Sequence, residues 1–114
     1  MAQAKAIAEK TGVSIVESTE LSAANGADVI YADTWLSMGD ETPLEVIKEK
    51  FMPYQVNEAL MEATGASYVM HCQPAHRDLE ITGSLIDSDK SLLMQQAENR
   101  MHGQNAILTQ LLNA

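Results

Sequence analysis

Short apolar segments alternate along the chain with segments of helical periodicity, and this alternation restricts the fold more than any other feature. Strands that are apolar on both faces need helices on both sides. The pattern therefore predicts one α/β domain, residues 1–114, with a mostly parallel, doubly wound sheet between two helical layers. The predicted strands are Val13–Val16, Ala27–Tyr31, Tyr68–His71 and Leu92–Met94, and the predicted helices cover residues 2–11, 43–52, 56–63 and 97–113, with a helical turn at 20–25.

The charge of the chain excludes two classes of partner. Its 114 residues include 16 acidic and 7 basic side chains, a formal net charge of −9, without a stripe of lysine and arginine. Phosphate backbones and anionic membranes repel such a surface, so we expect neither nucleic acid nor a membrane as partner. The chain has no apolar run of the roughly 20 residues that span a bilayer, and no secretory signal pattern. The single cysteine, Cys72, fits a reducing compartment, so we expect a cytoplasmic protein.

Three polar segments, residues 33–39, 71–77 and 98–100, follow predicted strands. Ligands bind beyond the carboxyl ends of the strands in open parallel sheets, so these segments are the candidate sites. None of them contains a glycine-rich phosphate-binding motif.

The segment His71–Arg77 contains cysteine and histidine, a pair that can bind a metal or form a nucleophile. Zinc needs about three or four ligands, and the only histidine outside this segment is His102. His71 and Cys72 are adjacent on a strand and point in opposite directions, which disfavours a thiolate–imidazole pair. Taken alone, the residues favour a buried structural cysteine and a surface loop over a metal site or a nucleophile.

Four motifs in order change this interpretation. They are Asp33-Thr34-Trp35-Leu36-Ser37-Met38-Gly39, Pro53-Tyr54-Gln55-Val56-Asn57, His71-Cys72-Gln73-Pro74-Ala75-His76-Arg77 and Ala97-Glu98-Asn99-Arg100. Their sequence and spacing resemble the carboxy-terminal, ornithine-binding domain of the ornithine carbamoyltransferases, most clearly from Ala27 to Leu112. The resemblance implies a Rossmann-like, three-layer αβα fold that is incomplete relative to the family's domain.

The resemblance implies that Asp33, Ser37 and Met38 bind the α-amino and α-carboxylate groups of ornithine. A carboxylate pairs with an ammonium, while a hydroxyl and a backbone N–H donate to a carboxylate. Without the resemblance, Asp33 would be interpreted as a turn residue and Met38 as core.

The resemblance also implies that Cys72 lies beside the reacting amine and that the backbone of Cys72 and Gln73 faces the carbamoyl group of carbamoyl phosphate. Gln73 departs from the leucine that most relatives have, and the Gln73–Pro74 peptide is expected to be cis. Arg100 is expected to contact the carbonyl oxygen of carbamoyl phosphate, where a cation stabilises an oxyanion. From the residues alone, Arg100 could instead pair with Glu98 or Asp89 on the surface.

The implied reaction is attack by the neutral δ-amine of ornithine on carbamoyl phosphate, giving citrulline and phosphate. A thiolate-capable Cys72 in a desolvated pocket is a local means of keeping that amine deprotonated. The resemblance implies no metal and no organic cofactor, and it implies a homotrimer, or a multiple of one, for the intact enzyme.

The family's Ser-x-Arg-Thr phosphate loop, His-Pro-x-Gln segment and Asp-Gly-Asn segment have no counterpart in the chain. We therefore expect the chain alone to be inactive without an amino-terminal carbamoyl-phosphate domain. The alternatives are a non-catalytic module that binds an amino acid or a subunit, and a transcarbamoylase for another amine. A diamine is disfavoured because Asp33, Ser37 and Met38 serve an α-amino-acid end that it lacks.

By resemblance, Val13–Val16 and Ala27–Tyr31 match the third and fourth strands of a sheet whose first strand lies between them. Because the strand that lies between them has no counterpart in the chain, each of these two segments would have an open edge. The unpaired backbone groups at these edges would cost about 1–3 kcal/mol for each buried group. We therefore expect these segments to pair directly or to exchange strands with a second copy.

Overall fold

The computed structural model describes residues 1–36, 39 and 41–113, and within them helices and strands alternate. The helices are α1 (Ala2–Thr11), α2 (Leu44–Phe51), α3 (Glu58–Thr64), α4 (Gly83–Ile86) and α5 (Leu93–Leu112), the strands are β1 (Val29–Ala32) and β2 (Tyr68–His71), and short 3₁₀ helices cover Leu21–Ala24 and Met52–Tyr54.

Local signals in the sequence explain where the helices begin and end. α1 occupies the predicted range and ends at Gly12, whose φ of 75° is the left-handed conformation that favours glycine. Asn57 caps α3, because its side chain accepts a hydrogen bond from the backbone N–H of Leu60 at 3.0 Å. The helix predicted after Pro43 and the helical turn predicted at 20–25 are confirmed.

β1 and β2 form a parallel pair in which Val29 lies opposite Tyr68 and Ala32 opposite His71. The range of β2 is as predicted, and β1 begins and ends slightly later than predicted. On its other side, β2 bonds to the segment before α5: the Val69 N–H donates to the Lys90 carbonyl and the Leu92 N–H donates to the Val69 carbonyl, both at 2.9 Å.

Two predicted strands are wrong. Leu92–Met94 is not a strand, because α5 begins at Leu93 and the extended pairing to β2 comes from the residues just before it. Val13–Val16 forms no strand and does not pair with β1, and the Val16 side chain is 73% exposed. Among the described residues β1 has only β2 as a strand neighbour. Strand exchange with a second copy stays a prediction.

The core is built around this pair of strands. Side chains from both strands, from three helices and from the connecting loops meet there with almost no exposure. Its members are Ala32, Val56, Met61, Ala66, Val69, Ile81, Leu85 and Leu93.

A helix also lies on the opposite face of β1. Because side chains alternate along a strand, Tyr31 points away from the face that holds Ala32. Its hydroxyl oxygen accepts a hydrogen bond from Gln96 of α5 at 2.5 Å. With α3 on one face and the first turns of α5 on the other, the molecule has the order helix, sheet, helix, an incomplete version of the predicted αβα layers.

Candidate active site

The carboxyl ends of β1 and β2 bring together two residues that are 39 positions apart in the chain. The Cys72 thiol donates a hydrogen bond to Oδ1 of Asp33, with 2.9 Å between sulfur and oxygen. The same oxygen accepts the backbone N–H of Thr34 at 2.8 Å. No described residue donates to Oδ2 of Asp33.

This contact decides where the proton lies. The hydrogen bond from Cys72, helped by the Thr34 N–H, lowers the pKa of Asp33. The same hydrogen bond to Asp33, together with burial, raises the pKa of Cys72. At neutral pH the site therefore holds an ionised carboxylate beside a protonated thiol. The carboxylate beside Cys72 therefore disfavours the thiolate form that the sequence analysis considered, because it opposes a second negative charge.

Arg100 of α5 reaches the same end of the sheet. It contributes to a cleft of about 430 Å³ between β2 and α5. Neither Glu98 nor Asp89 forms an ion pair with Arg100 in the described part of the chain, and Glu98 lies instead 3.4 Å from His102. The ion pairs of the alternative interpretation are therefore not present among the described residues. The cleft is lined by His71, Cys72, Gln73, Gln96, Ala97 and Arg100.

Gln73 lies in this cleft with an unusual backbone conformation. Its φ is 50°, and the Gln73–Pro74 peptide is cis, as predicted. Its backbone N–H donates to Nδ1 of His71 at 2.8 Å. The polar side chain, half-buried in the cleft wall, forms no hydrogen bond with any described residue.

His71, the residue just before Cys72, belongs to a buried polar cluster. His71 and Glu80 are each 1% exposed, and His71 Nε2 lies 3.1 Å from Oε1 of Glu80. Because Nδ1 of His71 accepts the Gln73 N–H, the ring proton belongs on Nε2, which donates to Glu80. The same carboxylate oxygen accepts the His76 backbone N–H at 2.6 Å, and His76 Nδ1 lies 3.4 Å from it.

Sequence reasoning missed Glu80. The available signal was the alternation of β2, which places His71 on the same face as the buried Val69. A histidine on a core face needs a polar partner, and Glu80 on the loop after β2 supplies it.

Comparison with known proteins identifies the family. Residues 1–111 match the family described as Aspartate/ornithine carbamoyltransferase, Asp/Orn binding domain. The chain belongs to this family. The ornithine carbamoyltransferase of Vibrio sp. (strain 2693) is 57% identical over 110 residues, which are 96% of this chain and 36% of that relative. This carbamoyltransferase-family chain thus spans about a third of the length of the curated relatives it matches.

Solved structures place the fold in the same family. The ornithine carbamoyltransferase from Pyrococcus furiosus is 43% identical with a TM-score of 0.78, over 89% of this chain and 33% of that one. A mutant N-acetyl-L-ornithine transcarbamylase complexed with PALAO is 31% identical with a TM-score of 0.74, over 89% of this chain and 32% of that one. The two-stranded parallel sheet with its helices is therefore part of the family's αβα, Rossmann-like domain.

Two of the residues expected to bind substrate, Ser37 and Met38, lie outside the described residues. Asp33, Cys72 and Gln73 lie together at the strand ends, with Arg100 across the cleft. Within the described part of this family member, no group of three or more acidic, histidine or cysteine side chains could hold a metal ion. None of its described helices has the length and hydropathy of a membrane span.

Proposed function

We propose that residues 1–114 are part of the L-ornithine-binding domain of a carbamoyltransferase that makes citrulline and phosphate from ornithine and carbamoyl phosphate. The observation that carries the proposal is the 2.9 Å contact between Cys72 and Asp33, beside a cleft that contains Arg100, which has no ion-pair partner among the described residues. A negative group for an ammonium and a positive group for an oxyanion thus lie at one end of the sheet.

Asp33 is the residue for the ammonium group of the substrate. Its Oδ1 is occupied by Cys72 and Thr34, whereas its Oδ2 is open among the described residues. The lowered pKa of Asp33 keeps it ionised, so it attracts the α-ammonium of an amino acid. Ser37 and Met38 belong to the same proposal as the residues for the α-carboxylate.

Cys72 acts as a thiol in this proposal. Its proton points at Asp33, so Cys72 orients that carboxylate and is not a base for the substrate amine. The backbone of Cys72 and Gln73 lines the cleft and faces the carbamoyl group of the second substrate. The neutral δ-amine of ornithine attacks the carbonyl carbon to form the new C–N bond, the C–O bond to phosphate breaks, and the proton that the amine loses leaves with the phosphate.

Arg100 stabilises the negative charge that develops on the carbonyl oxygen during the attack. A fixed cation in a cleft stabilises an oxyanion more than a solvated one, because it needs no reorganisation when the charge appears. Arg100 is exposed in this chain, so the rest of a longer protein would have to close the cleft over it. That remainder would hold the phosphate of carbamoyl phosphate. A trimeric assembly and a cytoplasmic location belong to the same proposal.

The test is a chimeric protein in which this chain replaces the matching segment of the Vibrio relative. Citrulline formation would be measured with L-ornithine, and the corresponding products with N-acetyl-L-ornithine, L-aspartate and a linear diamine. We expect the highest kcat/KM with L-ornithine, and no citrulline from the 114-residue chain alone. A folded chimera that prefers another amine would contradict the substrate, and one that binds ornithine without turnover would favour the non-catalytic module.

Arg100→Ala in the chimera tests the role of the cation. We expect kcat to fall by about 10²–10³, as for the loss of one oxyanion donor, with little change in the melting temperature. Arg77→Ala is the matched control, since Arg77 is an exposed arginine that pairs with Asp87 away from the cleft. Equal losses of activity in the two variants would contradict the assignment.

A further inference from the structure

α5 is attached to the rest of the described chain only by its first turn. Leu93 is 1% exposed and Gln96 is half-buried, whereas every described residue from Ala97 to Asn113 is exposed. Arg100 lies on this exposed part, about one turn beyond Gln96. The position of the guanidinium group therefore depends on how firmly the first turn is held.

Gln96 holds this turn to both strands. Its Oε1 accepts the backbone N–H of His71 at 3.2 Å, at the end of β2. Its Nε2 donates to the hydroxyl oxygen of Tyr31 on β1 at 2.5 Å. Because a backbone N–H can only donate, the first bond sets which end of the amide is the oxygen. One side chain thus links α5 to β1 and β2.

Gln96 and Arg100 also share a face of the helix. Residues four positions apart lie above one another on a helix, so Arg100 extends over the same strand ends that Gln96 contacts. Both line the cleft with Cys72, and the N–H that Gln96 holds belongs to the residue just before Cys72. The amide therefore bridges the element that carries the thiol and the element that carries the cation.

We propose that Gln96 is a positioning residue that sets the distance between Arg100 and the Cys72–Asp33 pair. The inference rests on the proposed function, because it acts through the role of Arg100. Without the two hydrogen bonds, the described anchors of α5 are the buried Leu93 and the backbone hydrogen bonds of Lys90 and Leu92 to β2, and the helix can pivot about this end. The cation then moves relative to the carbonyl oxygen, and a displacement of about 1 Å can cost about 10²-fold in rate.

The kinetic test uses the chimera with Gln96→Leu, which removes both hydrogen bonds. We expect kcat to fall about 10–100-fold while KM for ornithine changes little, because Asp33 lies on a different element. Gln96→Glu keeps an acceptor for His71 and can accept from Tyr31, so it should recover most of kcat. The matched control is Gln95→Leu, since Gln95 is exposed and forms no hydrogen bond through its side chain in the described chain.

A double variant separates positioning from general stability. If Gln96 acts through Arg100, Gln96→Leu should cost little further activity in the Arg100→Ala background. Multiplicative losses would overturn the inference and leave the proposed function standing. An unmutated chimera without citrulline synthesis would instead count against the proposed function.

Amide exchange in the 114-residue chain tests the inference without activity. Gln96→Leu should speed exchange of the His71 amide by about tenfold, because its acceptor is lost. Exchange at the rate found in Gln95→Leu would overturn the inference whatever the chimera does.

Discussion

Val13–Val16 and Tyr68–His71 are two short segments rich in apolar residues, and they lie in opposite surroundings. Tyr68–His71 has β1 on one side and the residues before α5 on the other, and Val69 is fully buried. Val13–Val16 pairs with no strand in the described chain, and Val13 is 61% exposed. This difference indicates that an apolar segment becomes a strand when a neighbouring segment pairs with its backbone N–H and C=O groups.

The two segments also differ in the chemistry they support. His71 at the end of β2 is held by Glu80, Gln73 and Gln96 through its ring and its backbone N–H. Satisfied polar contacts of this kind fix the next residue, Cys72, against Asp33. Near Val13–Val16 the described side-chain contacts are exposed or partly exposed, and they include the ion pair between Lys5 and Glu17. The region with paired strands is therefore the one in which side chains of the proposed site are held in place.

Removing Glu80 should have the largest effect on stability. Glu80→Leu leaves the buried His71 Nε2–H and the partly buried His76 backbone N–H without their acceptor. We expect the free energy of unfolding to fall by about 1–3 kcal/mol for each donor that loses its acceptor, in addition to the loss of packing around the substituted side chain. Urea denaturation measures this, with the exposed Glu62→Leu as control. A loss no larger than that of the control would mean that the cluster does not hold β2 in place.

A pair of valine substitutions compares the two segments directly. Val69→Ala should lower the free energy of unfolding by about 1.5–3 kcal/mol, because it removes fully buried methyl groups. Val16→Ala should change it by less than about 0.5 kcal/mol, because the side chain is 73% exposed. Denaturation of both variants under the same conditions gives the comparison. Equal losses would show that Val13–Val16 is packed in solution.

The next prediction concerns the reactivity of Cys72. Asp33→Asn removes the negative charge and replaces the carboxylate acceptor of the thiol by a weaker, neutral amide oxygen, so the pKa of the thiol should fall and the thiolate fraction at mildly alkaline pH should rise. Alkylation by iodoacetamide should therefore become faster, and its pH profile should move to lower pH. Since Cys72 is the single cysteine, the reaction reports this site alone.

Asp28→Asn is the matched control for the alkylation experiment, because Asp28 lies at the other end of β1, away from the thiol. An unchanged pH profile in Asp33→Asn would mean that the contact between Cys72 and Asp33 does not form.

The smallest expected effect is on the melting temperature, when two exposed ion pairs are removed one at a time. The Arg77 guanidinium contacts both carboxylate oxygens of Asp87, at 2.6 and 2.8 Å. These contacts lower the pKa of Asp87. A lowered folded-state pKa stabilises the fold above the unfolded-state pKa, and this contribution is lost as the pH falls through the folded-state value. Asp87→Asn should therefore melt slightly lower than the unmutated chain at neutral pH but not in acid.

Glu17→Gln should have an even smaller effect, because the Lys5–Glu17 pair has one contact where Arg77–Asp87 has two. Melting curves at neutral and acidic pH check both variants. A larger decrease in melting temperature for Glu17→Gln than for Asp87→Asn would contradict this order of the two ion pairs.

The sequence by itself determined the features that depend on neighbours within a turn or two. These include the end of α1 at Gly12, the cap of α3 at Asn57, the range of β2, and the order of motifs that carries the family. Capping, glycine conformation and helical periodicity need only a few successive residues, so they can be read from the chain.

Tertiary structure decided which apolar segments became strands, where α5 begins, and which site groups carry protons. The partner of Cys72 is 39 residues away, the link from Gln96 to Tyr31 spans 65, and His71 binds Glu80 on the loop that follows. Pairing of backbone groups and the pKa of a thiol depend on what lies beside them in space. Residues so far apart meet only when strands and helices pack, and this is the reason that the arrangement of the site came from the fold.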